Sequence, residues 1–275
     1  MEINESIKNR KGPRKVEDVS AEVLTLLNGG MLETVNLTEW LAIDHIALIE
    51  GISSELGIGK AEQGQITSEL KLQKKPTSMS STKVVGATLY RLFHAEPTFE
   101  ALFQGLSNHT SDTVRGYAAY LIGLDESLSI EAKLLKAKPL VADHHFGVRE
   151  VIWFAIRPAI DESLNTAIDF LSLWTEDKDE NVRRFTTEAT RPRGVWCKQI
   201  QALVQNPELA LPILEKLKSD KTKYVQDSVG NWLNDASKSQ PDFVIDLCER
   251  WQQESPTAET NKIIKKARRT IDKKK

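Results

Sequence analysis

Apolar residues recur along this chain at spacings of three and four positions, which is the period of an amphipathic helix. Val23, Leu26 and Leu27 form one such set, and Ile43 and Ile46 begin another. Segments in which apolar and polar residues alternate, as they do in half-buried strands, are scarce. Glycine and proline separate the helical stretches rather than filling them. The pattern therefore predicts an all-α protein.

Four segments in the middle of the chain share a polar loop residue, a valine, a second polar residue and then a helix-length amphipathic stretch. Their valines, with separations of 34, 34 and 43 residues, are Val114, Val148, Val182 and Val225. Apolar-periodic stretches between them, such as residues 164–173, are long enough for a second helix in each unit. Helix pairs repeating at this period are typical of an α-solenoid, because each pair buries its apolar face only against its neighbours. The alternative is a non-repetitive helical bundle with coincidental valine spacing.

The composition changes at one place in the N-terminal third of the chain. Residues 57–81, GIGKAEQGQITSELKLQKKPTSMSS, are polar and are predicted to form a long loop or a partly ordered insertion. We therefore expect an N-terminal helical region over residues 1–82. A helical-repeat array with a basic C-terminal helix then occupies residues 83–275, in one continuous domain.

Charged residues are nearly balanced over the whole chain. Its 275 residues include 37 Lys+Arg and 39 Asp+Glu, for a formal net charge of −2. This balance excludes a generic polycationic nucleic-acid coat, so a DNA-binding surface has to come from local patterning. The C-terminal segment NKIIKKARRTIDKKK shows such patterning, because it carries eight basic residues and a single acid, Asp272.

Several kinds of protein and of site are excluded. No run of about 18 apolar residues is present, which excludes a transmembrane helix. The start, MEINESIKNRKGPRK, lacks the apolar core of a secretory signal, so we expect a cytoplasmic protein that associates with the nucleoid when bound to DNA. Cys197 and Cys248 belong to no C-x-x-C or Cys/His cluster, and adjacent His144 and His145 cannot face the same way on a helix. We expect no metal.

Nucleotide and acyl-transfer chemistry also lack support. The sequence contains no G-x-x-x-x-G-K-[ST] loop, no G-x-G-x-x-G after a strand and no G-x-S-x-G elbow. We therefore expect no cofactor.

One candidate constellation lies in the segment RRFTTEATRPR. Glu188 follows Arg184 by four residues and precedes Arg191 by three, so the three side chains share one stripe of a helix. Pro192 then ends the helix. A carboxylate held between two guanidinium groups remains ionised at neutral pH. The ordinary interpretation of such a stripe is a structural ladder of ion pairs.

A second constellation lies in the segment SVGNWLNDASK. Asn231, Asn234 and Asp235 cluster within a helical pattern although Asn and Asp propagate helices poorly. Such a local conflict indicates a functional position. The alternative is a helix end at which Asp235 or Ser237 caps the next element.

Two further positions are weaker candidates. Glu150 and Trp153 are three residues apart and can share a face, although a lone tryptophan such as Trp153 more often belongs to a core. Trp196 follows a Pro-Arg-Gly loop, where an indole ring can be presented to a ligand.

RRFTTEATRPRGVW, followed by YVQDSVGNWLNDASK, resembles the AlkC family of bacterial DNA alkylation repair glycosylases. DHHFGVREVIWFAIRP and NLTEWLAID support the resemblance, which covers about residues 10–271. It implies HEAT-like helical repeats in a C-shaped array with a concave DNA-binding face. It also implies excision of cationic methylated bases, chiefly N3-methyladenine and also N3-methylcytosine, from double-stranded DNA. Some family members continue into an immunoglobulin-like DNA-binding domain, whereas no strand-rich segment follows Trp251 here.

The resemblance also implies roles for individual residues. Glu188 and Asp235 become the catalytic carboxylates, with Glu150 a third that aligns more loosely. Trp196, Arg184 and Arg191 become lesion-binding residues. Phosphate contacts are assigned to the following basic residues: Arg149, Arg157, Arg183, Arg193, Lys265, Lys266, Arg268 and Arg269.

The chemistry expected of such a site needs no general acid, because a base methylated at N3 is already cationic and leaves as a neutral molecule. Fixed carboxylates stabilise the oxocarbenium ion that develops on the sugar more than they stabilise the ground state. No lysine stands out as a Schiff-base nucleophile, so we expect a monofunctional, monomeric glycosylase. Two alternatives remain open: a non-catalytic binder of distorted or branched DNA, and a protein-interaction scaffold, which is the usual role of an α-solenoid.

Overall fold

A computed structural model describes residues 3–194 and 197–273 of the chain. Throughout these residues the regular structure is helical and contains no strand, so the predicted all-α helical-repeat fold is confirmed. No helix in the described ranges is both long enough and apolar enough to cross a membrane. The chain forms two compact units and passes from one to the other after Ser127, after Ala142 and, within one helix, after Ala155.

The first unit consists of the described residues through Ser127 together with Asp143–Ala155. It contains a 3₁₀ turn at Val16–Asp18 and the following α-helices: α1 (Glu5–Lys8), α2 (Ala21–Asn28), α3 (Leu37–Leu41), α4 (His45–Ile52), α5 (Lys60–Lys71), α6 (Ser78–Phe93), α7 (Phe99–Ser107), α8 (Asp112–Gly123) and the beginning of α10 (Phe146–Glu162).

The second unit consists of Leu128–Ala142 and the described residues from Ile156 onward. It contains a 3₁₀ turn at Pro207–Ala210, the end of α10 and the following α-helices: α9 (Ile130–Val141), α11 (Leu164–Trp174), α12 (Glu180–Glu188), α13 (Gln201–Gln205), α14 (Leu211–Leu217), α15 (Lys223–Ala236), α16 (Pro241–Glu254), α17 (Ala258–Ala267) and α18 (Arg269–Asp272).

Helices of successive repeats pack side by side within each unit, as expected for stacked helix pairs. In the first unit α6 packs on α8, and in the second unit α12 packs on α15 and α15 on α17. The approach of α15 to α17 is close at Gly230, where a Cβ atom would lie 2.7 Å from Cβ of Lys266. The fully buried Trp232 completes the core of α15.

The residue that follows each repeat valine secures the loop before its own helix. Arg115, Arg149 and Arg183 each donate through Nη1 to the carbonyl oxygens of the residues six and five positions earlier, at 2.6–3.1 Å. In the fourth repeat Gln226 donates to the carbonyl oxygen of Asp220, also six positions earlier, at 2.8 Å. We call these four residues the loop clamps.

Aspartates in the loops between repeats complete the clamps. Nε of Arg183 donates to Oδ2 of Asp220 at 2.7 Å, while Oδ1 of Asp220 accepts from the backbone N–H of Thr222 at 2.9 Å. Arg115 and Asp143 form the equivalent pair in the first unit, at 2.7 Å. Each aspartate thus orders its own loop and also binds the clamp of the preceding repeat.

The predicted long loop over residues 57–81 is wrong. This segment contains all of α5 and the beginning of α6, so the expected boundary near residue 82 falls inside a helix. Ile66 and Leu70, four residues apart, are the buried residues of α5, and its other faces are polar. A capping box between Thr77 and Ser80 begins α6.

Candidate active site

Two predicted carboxylates lie on neighbouring helices of the second unit. Glu188 is the last residue of α12, and Asp235 lies in the last turn of α15, the helix on which α12 packs. Both residues are buried, with 4% and 3% of their surface exposed. Asp235 is therefore a helical residue inside the structure and not the cap of the next helix.

Arg191 joins the two carboxylates. Its Nε and Nη2 donate to Oδ2 of Asp235 at 2.8 and 2.5 Å, and its Nη1 donates to Oε2 of Glu188 at 3.4 Å. Burial alone would lower the pKa of Arg191, but the charges of Glu188 and Asp235 outweigh burial and raise it. The two constellations singled out in the sequence thus meet at one guanidinium group.

Two further side chains, Ser228 and Arg184, contact Glu188, and each of them is held by a neighbour. Oγ of Ser228 donates to its Oε1 at 2.8 Å, and Oγ1 of Thr187 lies 2.6 Å from the same serine oxygen. Nη2 of Arg184 lies 3.7 Å from Oε1, while the guanidinium of Arg184 lies over the ring of Tyr224, 4.3 Å from its centroid. The tyrosine and serine come from α15, so the carboxylate of α12 is oriented by the neighbouring helix.

The remaining oxygen of Asp235 is bound by a lysine. Nζ of Lys238 lies 2.7 Å from Oδ1, and the lysine side chain is 43% exposed, against 5% for the aspartate. Lys238 follows the end of α15 and reaches back over one turn. Neither Lys238 nor Ser228 was predicted from the sequence. Lys238 follows Asp235 by three residues, a helical spacing, whereas Ser228 is 40 residues away from Glu188.

The turn that carries Arg191 is supported through its backbone. Arg157, at 4% exposure, donates to the carbonyl oxygens of Ala189, Arg191 and Lys198 at 2.9, 2.5 and 3.2 Å. Nε1 of Trp232 donates to the carbonyl oxygen of Thr190 at 2.9 Å. The predicted phosphate contact of Arg157 is therefore corrected: this side chain is enclosed and positions the turn.

Two other arginines assigned to phosphates also have roles in the fold. Arg149 and Arg183 are the loop clamps described above, and both side chains bind loop carbonyl oxygens of their own repeats. Burial and the ion pair with Asp220 together restrict the conformations that the Arg183 side chain can adopt. The hydrogen bond that Arg183 donates to Asp220 raises the pKa of Arg183, which fixes its charge within the clamp.

The other predicted residues are distributed over both units. Glu150 lies in the first unit and accepts a hydrogen bond from Nε1 of Trp153 at 2.8 Å, whereas Glu188 and Asp235 lie in the second. Trp196 lies outside the described residues. Arg193 is half-buried, and its Nε has no hydrogen-bond partner among the described residues.

The predicted basic residues of the C-terminal helices lie beside α15. Nζ of Lys266 lies 2.5 Å from Oδ1 of Asp227, and Nη2 of Arg269 donates to Oδ1 of Asn231 at 3.1 Å. Lys265 is exposed, and Arg268 pairs with Asp272 within the same segment, at 3.5 Å. This edge of the second unit therefore carries several cations at the surface.

A second residue of the NWLND segment has a structural function. Oδ1 of Asn234 accepts from the backbone N–H and the hydroxyl of Thr270, at 3.2 and 3.1 Å. The two contacts attach the C-terminal helix α18 to α15. The cluster of polar residues within α15 is thus explained in part by the site and in part by this attachment.

Comparisons with known proteins agree with the resemblance. Residues 148–271 match the model of a family described as DNA alkylation repair enzyme. An uncharacterised protein of Bacillus subtilis, YhaZ, is 44% identical over 121 residues, which are 44% of this chain and 33% of that protein. The matched stretch therefore spans about a third of that relative.

Two solved structures share the fold. The Pseudomonas fluorescens alkylpurine DNA glycosylase AlkC, bound to DNA containing an abasic site analogue, superimposes with a TM-score of 0.65 at 24% identity. That match covers 83% of this chain and 63% of AlkC. AlkD2 from Streptococcus mutans gives a TM-score of 0.60 at 24% identity, covering 77% of this chain and 99% of AlkD2.

Proposed function

Because residues 148–271 match the model of the family described as DNA alkylation repair enzyme, we propose that the protein is a monofunctional DNA glycosylase. Its substrates are cationic alkylated bases in double-stranded DNA, N3-methyladenine first and N3-methylcytosine second. The reaction is hydrolysis of the N-glycosidic bond, without a metal or cofactor. The observation that carries the proposal is the convergence of Glu188 and Asp235 on Arg191.

The chemistry of the two carboxylates suits this reaction. As the bond to a cationic base breaks, the positive charge moves from the base to the deoxyribose. A carboxylate fixed beside the sugar stabilises that charge where it develops, and the effect is large because the group needs no reorganisation. The second carboxylate orients or deprotonates the attacking water, as in glycoside hydrolysis.

The hydrogen bonds around the site support different roles for the two acids. Glu188 is fixed by Ser228, Arg184 and Arg191, which suits a group that orients water with a constant geometry. Asp235 is bound by Arg191 on one oxygen and by the half-exposed Lys238 on the other. We assign to Asp235 the contact with the sugar, because its covering cation is the more mobile.

A second candidate function, binding of distorted DNA without catalysis, is favoured by one observation. Both carboxylates are covered and paired with cations in the structure, as in a purely structural ion-pair cluster. The two proposals differ in a measurable outcome, because only a glycosylase releases a free base.

The test measures release of methylated bases from a methylated duplex, by chromatography under single-turnover conditions. The wild-type protein is expected to release N3-methyladenine. Asp235→Asn is expected to lower the rate about 100-fold or more, because it removes the charge that stabilises the sugar cation. Asp227→Asn is the matched control, since this residue lies on the same helix two turns earlier and pairs with Lys223 and Lys266.

The control variant is expected to release the base within about twofold of the wild-type rate, the limit expected for a residue outside the chemistry. Retention of DNA without any base release by the wild type would establish the non-catalytic alternative. Wild-type rates in Asp235→Asn would remove this residue from the mechanism. Circular dichroism and thermal unfolding of each variant separate loss of chemistry from loss of fold.

A further inference from the structure

The free site carries more positive than negative charge. Two carboxylates, Glu188 and Asp235, are paired with three cations, Arg184, Arg191 and Lys238, so the formal charge of the group is +1. A site with this charge repels a sugar cation. At least one of the three cations therefore has to be neutralised or displaced before the carboxylates can stabilise the transition state.

The three cations differ in their freedom to move. The side chains of Arg184 and Arg191 are 11% and 14% exposed, and Arg191 makes three hydrogen bonds to the two carboxylates. The side chain of Lys238 is 43% exposed and carries one ammonium group on a flexible stem. A half-exposed ion pair of this kind contributes little net stability, so Lys238 exchanges partners readily.

The surface next to Lys238 suits a phosphate backbone. Asp227, Asn231 and Asp235 follow one another at four-residue intervals and form one stripe of α15. Each of them faces one or more basic groups: Lys223 and Lys266 at Asp227, Arg269 at Asn231 and Lys238 at Asp235. A row of cations over successive helical turns matches a polyanion in charge, and it leads to the site.

We propose that Lys238 is a phosphate-operated latch on Asp235. In the free protein its ammonium covers Oδ1 of the aspartate, and on DNA it transfers to a phosphate of the bound strand. The transfer uncovers Oδ1, leaves two carboxylates against two arginines and places the lysine charge on the phosphate. The site thus becomes able to stabilise a cation only when DNA is bound. This inference rests on the proposed function, and Lys238 is a positioning residue in it.

The latch predicts opposite effects for two substitutions of the same residue. Lys238→Met removes the cation, so duplex binding weakens and the slope of log Kd against log salt falls by about one. The single-turnover rate at saturating methylated duplex rises by about two- to fivefold, the range expected for loss of one half-exposed ion pair. Lys238→Arg keeps the phosphate contact but holds Asp235 through a forked group, so it lowers the saturating rate without weakening binding.

Lys221→Met is the matched control. Lys221 is exposed and precedes α15, so this substitution makes the same charge change near the opposite end of the same helix. It is expected to leave the saturating rate at the wild-type value. A saturating rate that falls in Lys238→Met would overturn the latch, because both a structural lysine and a directly catalytic one predict that loss.

A crystal structure of the full chain with a duplex that contains an uncleavable abasic analogue tests the latch independently of activity. Nζ of Lys238 within hydrogen-bond distance of a phosphate oxygen, and no longer on Oδ1, supports it. Nζ still on Oδ1 overturns it. If the wild type releases no base, the proposed function fails, and this structure still decides whether DNA displaces the lysine.

Discussion

Arg183 and Arg191 lie in the same repeat, eight residues apart, and bind different sets of partners. Arg183, like the other loop clamps, donates to backbone carbonyl oxygens and to the aspartate of the following loop. Arg191 donates to two buried carboxylates on different helices. Arg183 thus fixes the backbone of a loop, whereas Arg191 balances the charge of two buried carboxylates. Both roles conceal the guanidinium, so a basic residue in this fold is not by itself a phosphate contact.

The largest expected effect comes from removing the shared cation of the site. Arg191→Met leaves Glu188 and Asp235 buried without their common partner. The free energy of unfolding is expected to fall by about 3–5 kcal/mol. Urea denaturation followed by circular dichroism measures it.

A compensating variant sharpens this prediction. Glu188→Gln added to Arg191→Met removes one of the two unbalanced charges and is expected to recover part of the lost stability. Loss of less than about 1 kcal/mol in Arg191→Met would mean that water reaches the carboxylates easily, contrary to their burial.

The second largest loss of stability is expected on substitution of Arg157, which supports the turn after α12. Arg157→Met deprives three backbone carbonyl oxygens of their donor, and stability is expected to fall by about 2–4 kcal/mol. Since the side chain is enclosed, the salt dependence of DNA binding is expected to stay at the wild-type slope. If the free energy of unfolding is unchanged and the slope of log Kd against log salt falls by about one, Arg157 contacts a phosphate, as first predicted.

Breaking a loop clamp is expected to have a smaller effect, and one that depends on pH. Burial alone would raise the pKa of Asp220, but hydrogen bonds from Arg183 and Thr222 outweigh it and lower the pKa. A carboxylate with a lowered pKa stabilises the fold above its unfolded pKa, and this contribution disappears as pH falls through the folded value.

Asp220→Asn is therefore expected to cost about 1–2 kcal/mol at pH 7 and progressively less below about pH 4. Denaturation of the variant and the wild type at a series of pH values measures the difference. A difference that grows as the pH is lowered would contradict the clamp.

The smallest effect on stability is expected at the surface. Lys265 is exposed on α17, so Lys265→Met should change the free energy of unfolding by less than about 0.5 kcal/mol. The slope of log Kd against log salt is expected to fall by about one if this lysine contacts a phosphate. Binding to a duplex at several salt concentrations, with the denaturation experiment beside it, distinguishes this behaviour from that of Arg157.

The repeat and its helices could be predicted from the sequence because they depend on local periodicity. Val114, Val148 and Val182 mark the repeats, and each is followed by a clamp arginine. The function of those arginines could not be predicted, because a loop carbonyl oxygen and a phosphate oxygen both accept hydrogen bonds from a guanidinium group. The loop predicted over residues 57–81 was wrong because the prediction relied on polar composition. The helix α5 in this segment buries only Ile66 and Leu70, so its sequence is mostly polar.

The meeting of Glu188, Arg191 and Asp235 could be predicted in outline for a similar reason. The stripe of Glu188 and Arg191 and the out-of-place Asp235 are both local signals, and the structure brings them together. The contacts of Ser228 and Lys238 depend on how α12 meets α15 and on where α15 ends. Ser228 and Glu188 are 40 residues apart in sequence, so no local pattern reveals that they are in contact.

The turn after α12 is held through three of its carbonyl oxygens, by Arg157 and Trp232. Every amino acid has a backbone carbonyl oxygen. Arg157 and Trp232 therefore bind the backbone of this turn and make no use of its side chains. The path of this turn therefore does not depend on which side chains it carries. By fixing that path, the anchor also fixes the place from which the Arg191 side chain reaches Glu188 and Asp235.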